Sequence, residues 1–442
     1  MDDHTLYILG GGPAGLSTAY FAKKNNIKFK LYEASNEIGG NCRTLKIDSF
    51  KFDTGAHRFH DKIPCVTKEI KKILGQNLLK VTAPSQIWWN NNFINFPLQI
   101  IDAFKILDNK TIIKIIKELT YNQFFNKKKY VHFQDFAYSR YGKTLSELFL
   151  LNYSEKLWGL KPNALSSDIS GGRLKYLNIS NMLRDLIFKQ DNAKHLDGSF
   201  YYPKNGYGTI FKCMEKIINK NNINYNAPIT KIVHDNFKIK KIISNHNMIL
   251  NNNTDIISTL PLPTLIKILS PQPPDEVLNA INNLKYRSLK LCIIMINKNR
   301  ISKNASIYFP DPDLPFTRLY EPKNRSEALA PKDQTAIVVE VPYTNNIMND
   351  EKLTELIISE LDNKNLFHHK EVISTKVITL PYAYPILEKG IGNKIKIVIE
   401  YLKNFKKLHL LGRNAHFKYL HTHDIIYQSK NKIKAIMKKS NI

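Results

Sequence analysis

A chain of 442 residues with 43% hydrophobic and 11% aromatic content can fill two or three domains around large cores, which excludes a disordered chain. A formal charge of +27 raises nucleic acid or anionic membrane as partners, yet the lysines run the whole length among Asn and Ile (KKNNIKFK, NKNNINYN, KIKKIISNHN), as a solvated surface would have them. The expectation kept is a basic field that steers a polyanionic substrate, without a nucleic-acid partner.

In chain order, Leu6 to Gly15 reads LYILGGGPAG, an apolar strand running into Gly10, Gly12 and Gly15 and then into Leu16, Ala19, Tyr20 and Ala22 at helical spacing. This is a dinucleotide fingerprint. Gly10 makes the turn, Gly12 lets backbone approach a pyrophosphate, Gly15 lets helix pack on strand, and the helix N-terminus offers N–H groups to phosphate. A second strand, IKFKLYE, ends at Glu33, the carboxylate for the ribose hydroxyls, and disfavours a dinucleotide bearing a 2′-phosphate. ASNEIGGNCRT then brings Gly39 and Gly40 for a second close approach and Arg43 as a cation. FKFDTGAHRFHD turns at Gly55 and delivers His57, with a loop histidine that merely hydrogen-bonds as the competing reading. Two such loops point to a flavin dinucleotide, and on these residues alone an NAD-linked dehydrogenase stays open.

Residues 81 to 97 read as short strands turning at Asn90 to Asn92, and Ile100 to about Trp158 reads as helices broken by Lys127 to Lys129. Residues 201 to 260 return to α/β character. Strands dominate from Tyr286 to Ile378 (SLKLCIIMI, ASIYF, TAIVVEV, VISTKVITL), with one helix at about Asp350 to Leu361. LHLLGRN and its helix return to the dinucleotide sheet. The expected fold is α/β: a discontinuous Rossmann-type dinucleotide-binding domain (1–80, 195–265 and 395–442), a helical insertion (98–194) and an antiparallel-sheet substrate domain (81–97 and 266–394). No apolar run approaches the roughly 18 to 20 residues of a membrane span, and MDDHTLYILGG runs directly into a strand, so the reading is cytoplasmic. Loose membrane-surface contact through the basic, partly amphipathic helix Ile425 to Lys439 stays open, as does the oligomeric state. The four cysteines, Cys42, Cys65, Cys213 and Cys292, have no metal spacing and are too few for a disulfide framework, and no metal site is expected.

The chain resembles the UDP-galactopyranose mutase group within the amine oxidase and protoporphyrinogen oxidase class of flavoproteins. The resemblance rests on GGGPAGLSTAY, YEASNEIGGNCRT, FDTGAHRFHD, INFPLQ, YSEKLWGLKPNALSSDISGGRLK, YYPKNGYGTIFK, IYFPDPDLPFTRLYEPKNRS, YAYPILEKG and LLGRNAHFKYLHTHD. Its more specific marks are Trp158 with Arg173 fifteen residues on, Tyr308 with Arg318 ten on, Tyr384 before Pro385, and Arg413 with Tyr419 six on. Guanidinium forks and phenol donors suit a diphosphate better than lysine point charges do, and these arginines stand out in a lysine-dominated chain.

The resemblance implies an FAD cofactor, active when reduced, and a nucleotide-diphosphate sugar as substrate; NAD(P)H is one candidate for the external reductant, whose identity the sequence leaves open. It implies pyranose to furanose interconversion through a reduced-flavin N5–sugar adduct, so that the nucleophile belongs to the cofactor. Arg173 and Arg318 then bracket the pyrophosphate and stabilise it as it departs, Tyr308, Tyr384 and Tyr419 donate to it, and Trp158 and Gln99 line the path of the nucleotide and sugar. Glu33 holds the adenosine ribose, Arg43 the diphosphate and the backbone at Val233 the adenine. Gly412, Arg413, Thr422, His423 and Asp424 lie toward the flavin, with His57 beside it. Loops between Tyr176 and Lys204 are candidates for a lid. Departures from the family pattern fall at Ser154, Ser306, Lys418 and Thr422-His423, near the sugar and flavin ends, which leaves the sugar and the nucleotide open. An FAD-dependent oxidase or dehydrogenase of the same class is the alternative, and a basic binding protein that kept a flavin is a third.

Overall fold

The structure is a computed structural model that describes residues 5–96, 106–125, 130–170, 199–245, 247–249, 254–344 and 348–439. Gln99, Arg173 and most of the candidate lid lie outside the described residues.

Leu6–Leu9 is buried at every position, the pattern of a central parallel strand covered on both faces. It sits third in a five-stranded sheet ordered Leu408–Leu410, Ile256–Ser258, Leu6–Leu9, Phe29–Tyr32, Ile223–Asn224, and every pairing is parallel. Tyr7 stands opposite Ile256 on one side and Lys30 on the other. The first helix, Pro13–Lys24, begins with proline at its first turn and buries every residue from Ala14 to Ala22. The last helix, Thr422–Lys439, packs on it through Ile425, Ile426, Ser429, Ile433 and Ile436, with Ser429 Oγ donating to the Ala14 carbonyl at 3.2 Å. The apolar face considered for membrane contact is therefore inside the core.

The second layer is a seven-stranded sheet ordered Val372–Pro385, Tyr286–Ile296, Thr335–Tyr343, Arg318–Tyr320, Ser306–Tyr308, Ser85–Trp89, Asn92–Phe96. It is antiparallel except where Ser306–Tyr308 runs parallel to Ser85–Trp89. Tyr286–Ile296 alternates between two cores. Cys292, Ile294 and Ile296 meet the helix Asp350–Asn363 through Leu353, Ile357 and Leu361, whereas Leu289, Leu291, Ile293 and Met295 meet Phe50 and Phe52 of the hairpin Thr44–Ile47/Phe50–Asp53. Asn90 and Asn91, both at positive φ (46° and 59°), close the Ser85–Trp89/Asn92–Phe96 hairpin, a conformation asparagine tolerates.

A small sheet (Asn247–Ile249, Lys238–Ser244, Ile229–Asp235, Leu269–Ser270) flanks the dinucleotide layer. The described α-helices between residues 106 and 158 are Asn109–Phe125, Phe133–Tyr141 and a run from Lys143 to Trp158 whose middle, Ser146–Leu151, is π-helical. Such a wide, underwound turn rotates the residues that follow it, which sets the direction of Tyr153, Lys156 and Trp158.

Candidate active site

At the dinucleotide end, Gly10 holds φ +101°, where a side chain would run into Thr259, and a Cβ on Gly15 would overlap the Gly10 carbonyl oxygen. Gly12 differs: a Cβ there would meet only Gly40 Cα at 4.0 Å, so the space above it is open between two backbone turns. The Gly39 amide donates to the Gly11 carbonyl at 2.9 Å and fixes the second loop against the first. Glu33 closes the strand. One carboxylate oxygen accepts from the Gly11 amide at 2.7 Å and the other from the Ser35 amide and hydroxyl, each at 2.9 Å. From Ala227, whose amide reaches the Glu33 carbonyl at 2.8 Å, the chain enters the strand carrying Val233, which has a register shift between Val233 and His234. Gly412, at φ +92°, backs onto Ala14, where a Cβ would clash.

Two arginines in this region carry buried donors with no protein partner: Nε of Arg43, and Nε with Nη2 of Arg413. Buried guanidinium donors are costly to leave unpaired. Together with the open cradle between Gly12 and Gly40, an uncapped helix N-terminus at Gly12 and the carboxylate at Glu33, they fit an anionic dinucleotide.

The second half of the site lies where the seven-stranded sheet, the end of the π-containing helix and the segment after Leu410 meet. Arg318 is gripped by Glu340 on the neighbouring strand, Nε to Oε2 at 3.0 Å and Nη2 to Oε1 and Oε2 at 2.8 and 2.6 Å, and the carboxylate is 1% exposed. Burial opposes the charge on Arg318, but Glu340 outweighs it and holds the guanidinium firmly protonated. Tyr308, Tyr153 and Tyr384 surround the pair. The Arg318 guanidinium lies 5.9 Å from the Tyr308 ring, which packs on Phe96 at 4.7 Å and Tyr153 at 5.7 Å. Burial first, with the neighbouring phenols and Glu340 adding to it, raises the Tyr153 and Tyr384 hydroxyls well above their usual range, so both remain neutral donors.

Trp158 stands at 5.8 Å from Tyr384 and 6.0 Å from Tyr419, which stack on each other at 6.2 Å, and the Arg413 guanidinium lies 4.9 and 4.5 Å from these two rings. The helix ends there because Gly159 adopts the left-handed conformation, while Arg287 binds the exposed carbonyls of Lys156 and Leu157 at 3.1 and 3.3 Å. Tyr419 leads through His421 to His423 (5.5 and 5.3 Å), and burial keeps the His423 ring neutral.

The His57 loop joins the two halves. Glu340 Oε1 also accepts from the Ala56 amide at 3.0 Å, and His57 Nε2 reaches the Asn41 carbonyl at 2.9 Å, so that nitrogen carries the proton. The ring stacks on Tyr207 at 5.0 Å. Burial disfavours the imidazolium, but Cys42, Asp53 and the Asn41 carbonyl overcome it and raise the His57 pKa to about 9.

Of the sequence-derived candidates, Trp158, Tyr308, Arg318, Tyr384, Arg413 and Tyr419 come together as one aromatic and cationic wall. Gly10, Gly12, Gly15, Glu33, Gly39, Gly40, Arg43 and Gly412 line the dinucleotide cradle, with Val233 on the adjoining sheet. Thr422 and Asp424 stand in the first turn of the last helix, where the Asp424 carboxylate accepts from the His421 amide at 3.0 Å. Sequence reasoning missed Glu340, Tyr153 and Lys156. Glu340 is the lone acid inside the apolar run TAIVVEV, a signal that was there to be read. Lys156 Nζ donates to the carbonyls of Phe309, at 2.9 Å, and Asp311, and burial lowers its pKa to about 8.

A parallel dinucleotide sheet joined to an antiparallel sheet, with the site across the seam, defines the architecture of flavin-dependent amine oxidases and sugar mutases. A family model described as flavin containing amine oxidoreductase matches residues 13–380, and the chain belongs to that family. Among solved structures, reduced UDP-galactopyranose mutase superposes with a TM-score of 0.86 over 98% of this chain and 95% of its own at 18% identity. A protoporphyrinogen oxidase homologue from an Exiguobacterium species superposes with a TM-score of 0.78 at 16% identity, over 99% of this chain and 100% of its own. Among curated proteins, dTDP-fucopyranose mutase of Escherichia coli is 23% identical over 234 residues, 50% of this chain and 55% of its own. Coproporphyrinogen III oxidase of Staphylococcus aureus is 31% identical over 97 residues, 21% of each chain. The chain thus spans between about a fifth and just over half the length of these curated relatives.

Proposed function

We propose that the protein is a flavin-dependent nucleotide-sugar mutase that interconverts the pyranose and furanose forms of a UDP- or dTDP-linked hexose. The observation that carries this reading is the wall itself: a guanidinium held by a buried carboxylate, three phenols around it, a second guanidinium over one of those phenols and over a fourth, and a tryptophan closing the end. That is a receptor for a diphosphate joined to flat and sugar rings, and it has far more polar donors than an apolar tetrapyrrole pocket would use. Likeness to the two sugar mutases supports it.

Gly12, Gly40, Glu33, Arg43 and Arg413 would hold the dinucleotide, and a reduced flavin bound there supplies the nucleophile that the protein's side chains lack. The chain's own residues do the rest. Arg318 meets the diphosphate through Nη1 as it gains charge on departure, and Glu340, which holds Nε and Nη2, keeps the guanidinium in place, so no reorganisation is needed when the bond breaks. Tyr153 and Tyr384, held neutral by burial, and Tyr308 beside them donate to the same oxygens. Trp158 and Tyr419 wall the sugar side from water. Lys156 anchors the Phe309–Asp311 segment behind Tyr308. His57, with Nε2–H on the Asn41 carbonyl and its pKa raised, would set positive charge at the junction of the two halves and so favour the anionic form of a cofactor held there.

Titration with UDP and dTDP, followed by flavin absorbance in the wild type and Arg318→Ala, tests the reading. Loss of one charge-assisted contact predicts about 10- to 100-fold weaker nucleotide affinity with flavin content unchanged. Unchanged affinity together with lost flavin would mean that Arg318 serves the cofactor and not a diphosphate substrate.

A further inference from the structure

We propose that the outward face of the helix Asn109–Phe125 docks the protein on an anionic lipid surface. A helix on the outside of a folded unit ordinarily turns polar residues to water. This one buries Ile115 and Leu119 toward the core, yet on the opposite side Ile113, Ile116, Tyr121 and Phe124 are 52, 42, 62 and 68% exposed. The spacing 113, 116, 124 lines them along three turns of one face, with Tyr121 at its edge.

The charges around the stripe choose the occupant. Lys110, Lys114 and Lys117 are exposed beside it, and the helix's one acid, Glu118, is turned inward with its oxygens taken by the Thr144 amide at 2.7 Å and hydroxyl at 2.8 Å. Apolar and aromatic side chains flanked by lysines, without acids, match the boundary between headgroups and acyl chains. A second copy packed symmetrically on this face would bring the same lysines against one another, and lysine is depleted in the cores of protein interfaces. None of the stripe's residues is among those of the proposed site, so docking and turnover can be measured separately.

The test is cosedimentation of the flavin-loaded full chain with vesicles of phosphatidylcholine alone and of phosphatidylcholine containing phosphatidylglycerol, in parallel with size-exclusion chromatography. The wild type should sediment with the anionic vesicles only. Both Ile116→Asp/Phe124→Asp and Lys114→Glu/Lys117→Glu should lower the bound fraction roughly tenfold or more while leaving flavin content and turnover as they were. If the first pair misfolds, the charge-reversal pair still reads the outcome. Binding that survives both pairs would assign it to the diffuse basic surface and overturn the proposal. A wild-type dimer dissolved by Ile116→Asp/Phe124→Asp without vesicle binding would reassign the face to a chain–chain contact, and a monomer that ignores both vesicles would also overturn it.

Discussion

At the scale of single residues, the pair Arg318–Glu340 decides most. A buried ion pair gains little over an apolar one, but removing one partner strands the other charge. Glu340→Gln keeps the shape and the acceptor for Ala56 and removes the charge, so it should destabilise the protein by about 3 kcal/mol in urea unfolding. A change below about 1 kcal/mol would mean that Arg318 is not held as described. His57 gives a pH signature. Its folded pKa of about 9 lies above the ordinary histidine value, so its stabilisation is complete below about pH 6 and fades as pH rises through about 9. The stability gap between wild type and His57→Gln should accordingly shrink from pH 6 to pH 9.5; a constant gap would show that the ring is not charged in the fold. The candidate residues in the aromatic wall were legible because they sit in short motifs dense in Arg, Tyr and Pro. Glu340 was not read, because its partner is chosen by strand pairing between Arg318 and Thr335–Tyr343.

At the scale of elements, the two glycines of the first loop separate folding from binding. Ala at Gly15 collides with the Gly10 carbonyl and should lower Tm by several degrees. At Gly12 the added methyl enters open space beside Gly40, so Gly12→Ala should fold normally and retain flavin poorly in gel filtration. Equal flavin retention in Gly12→Ala and wild type would place the pyrophosphate elsewhere. The strand–glycine–helix unit was readable because its signal is local: period two, then glycine, then period 3.6. The three-residue strands Ser306–Tyr308 and Arg318–Tyr320 were harder. The first was seen only as part of ASIYF, and the second merged into a Pro-rich loop, since so short a strand exists only through its neighbours. The π-helical turn that aims Tyr153 and Trp158 left no mark in the periodicity at all.

At the scale of the whole molecule, the order of strands in the five-stranded sheet returns residues 256 and 408 beside residue 6, and so brings Gly412 and Arg413 onto the first helix. That closure was anticipated from LHLLGRN, an apolar strand ending in glycine. The net charge of +27 on a chain with this aromatic and cationic wall fits one that draws in an anionic substrate, and the charge by itself identifies none. Mutase and oxidase readings share this architecture and part at the fate of the electrons. The deciding measurement is anaerobic incubation of the dithionite-reduced protein with UDP-galactopyranose or dTDP-fucopyranose, followed by chromatography, with oxygen uptake recorded in a parallel aerobic sample. The account predicts a new furanose peak that depends on prior reduction, without stoichiometric oxygen consumption. Peroxide released one-for-one with a consumed substrate, and no ring isomer under any reductant, would contradict it.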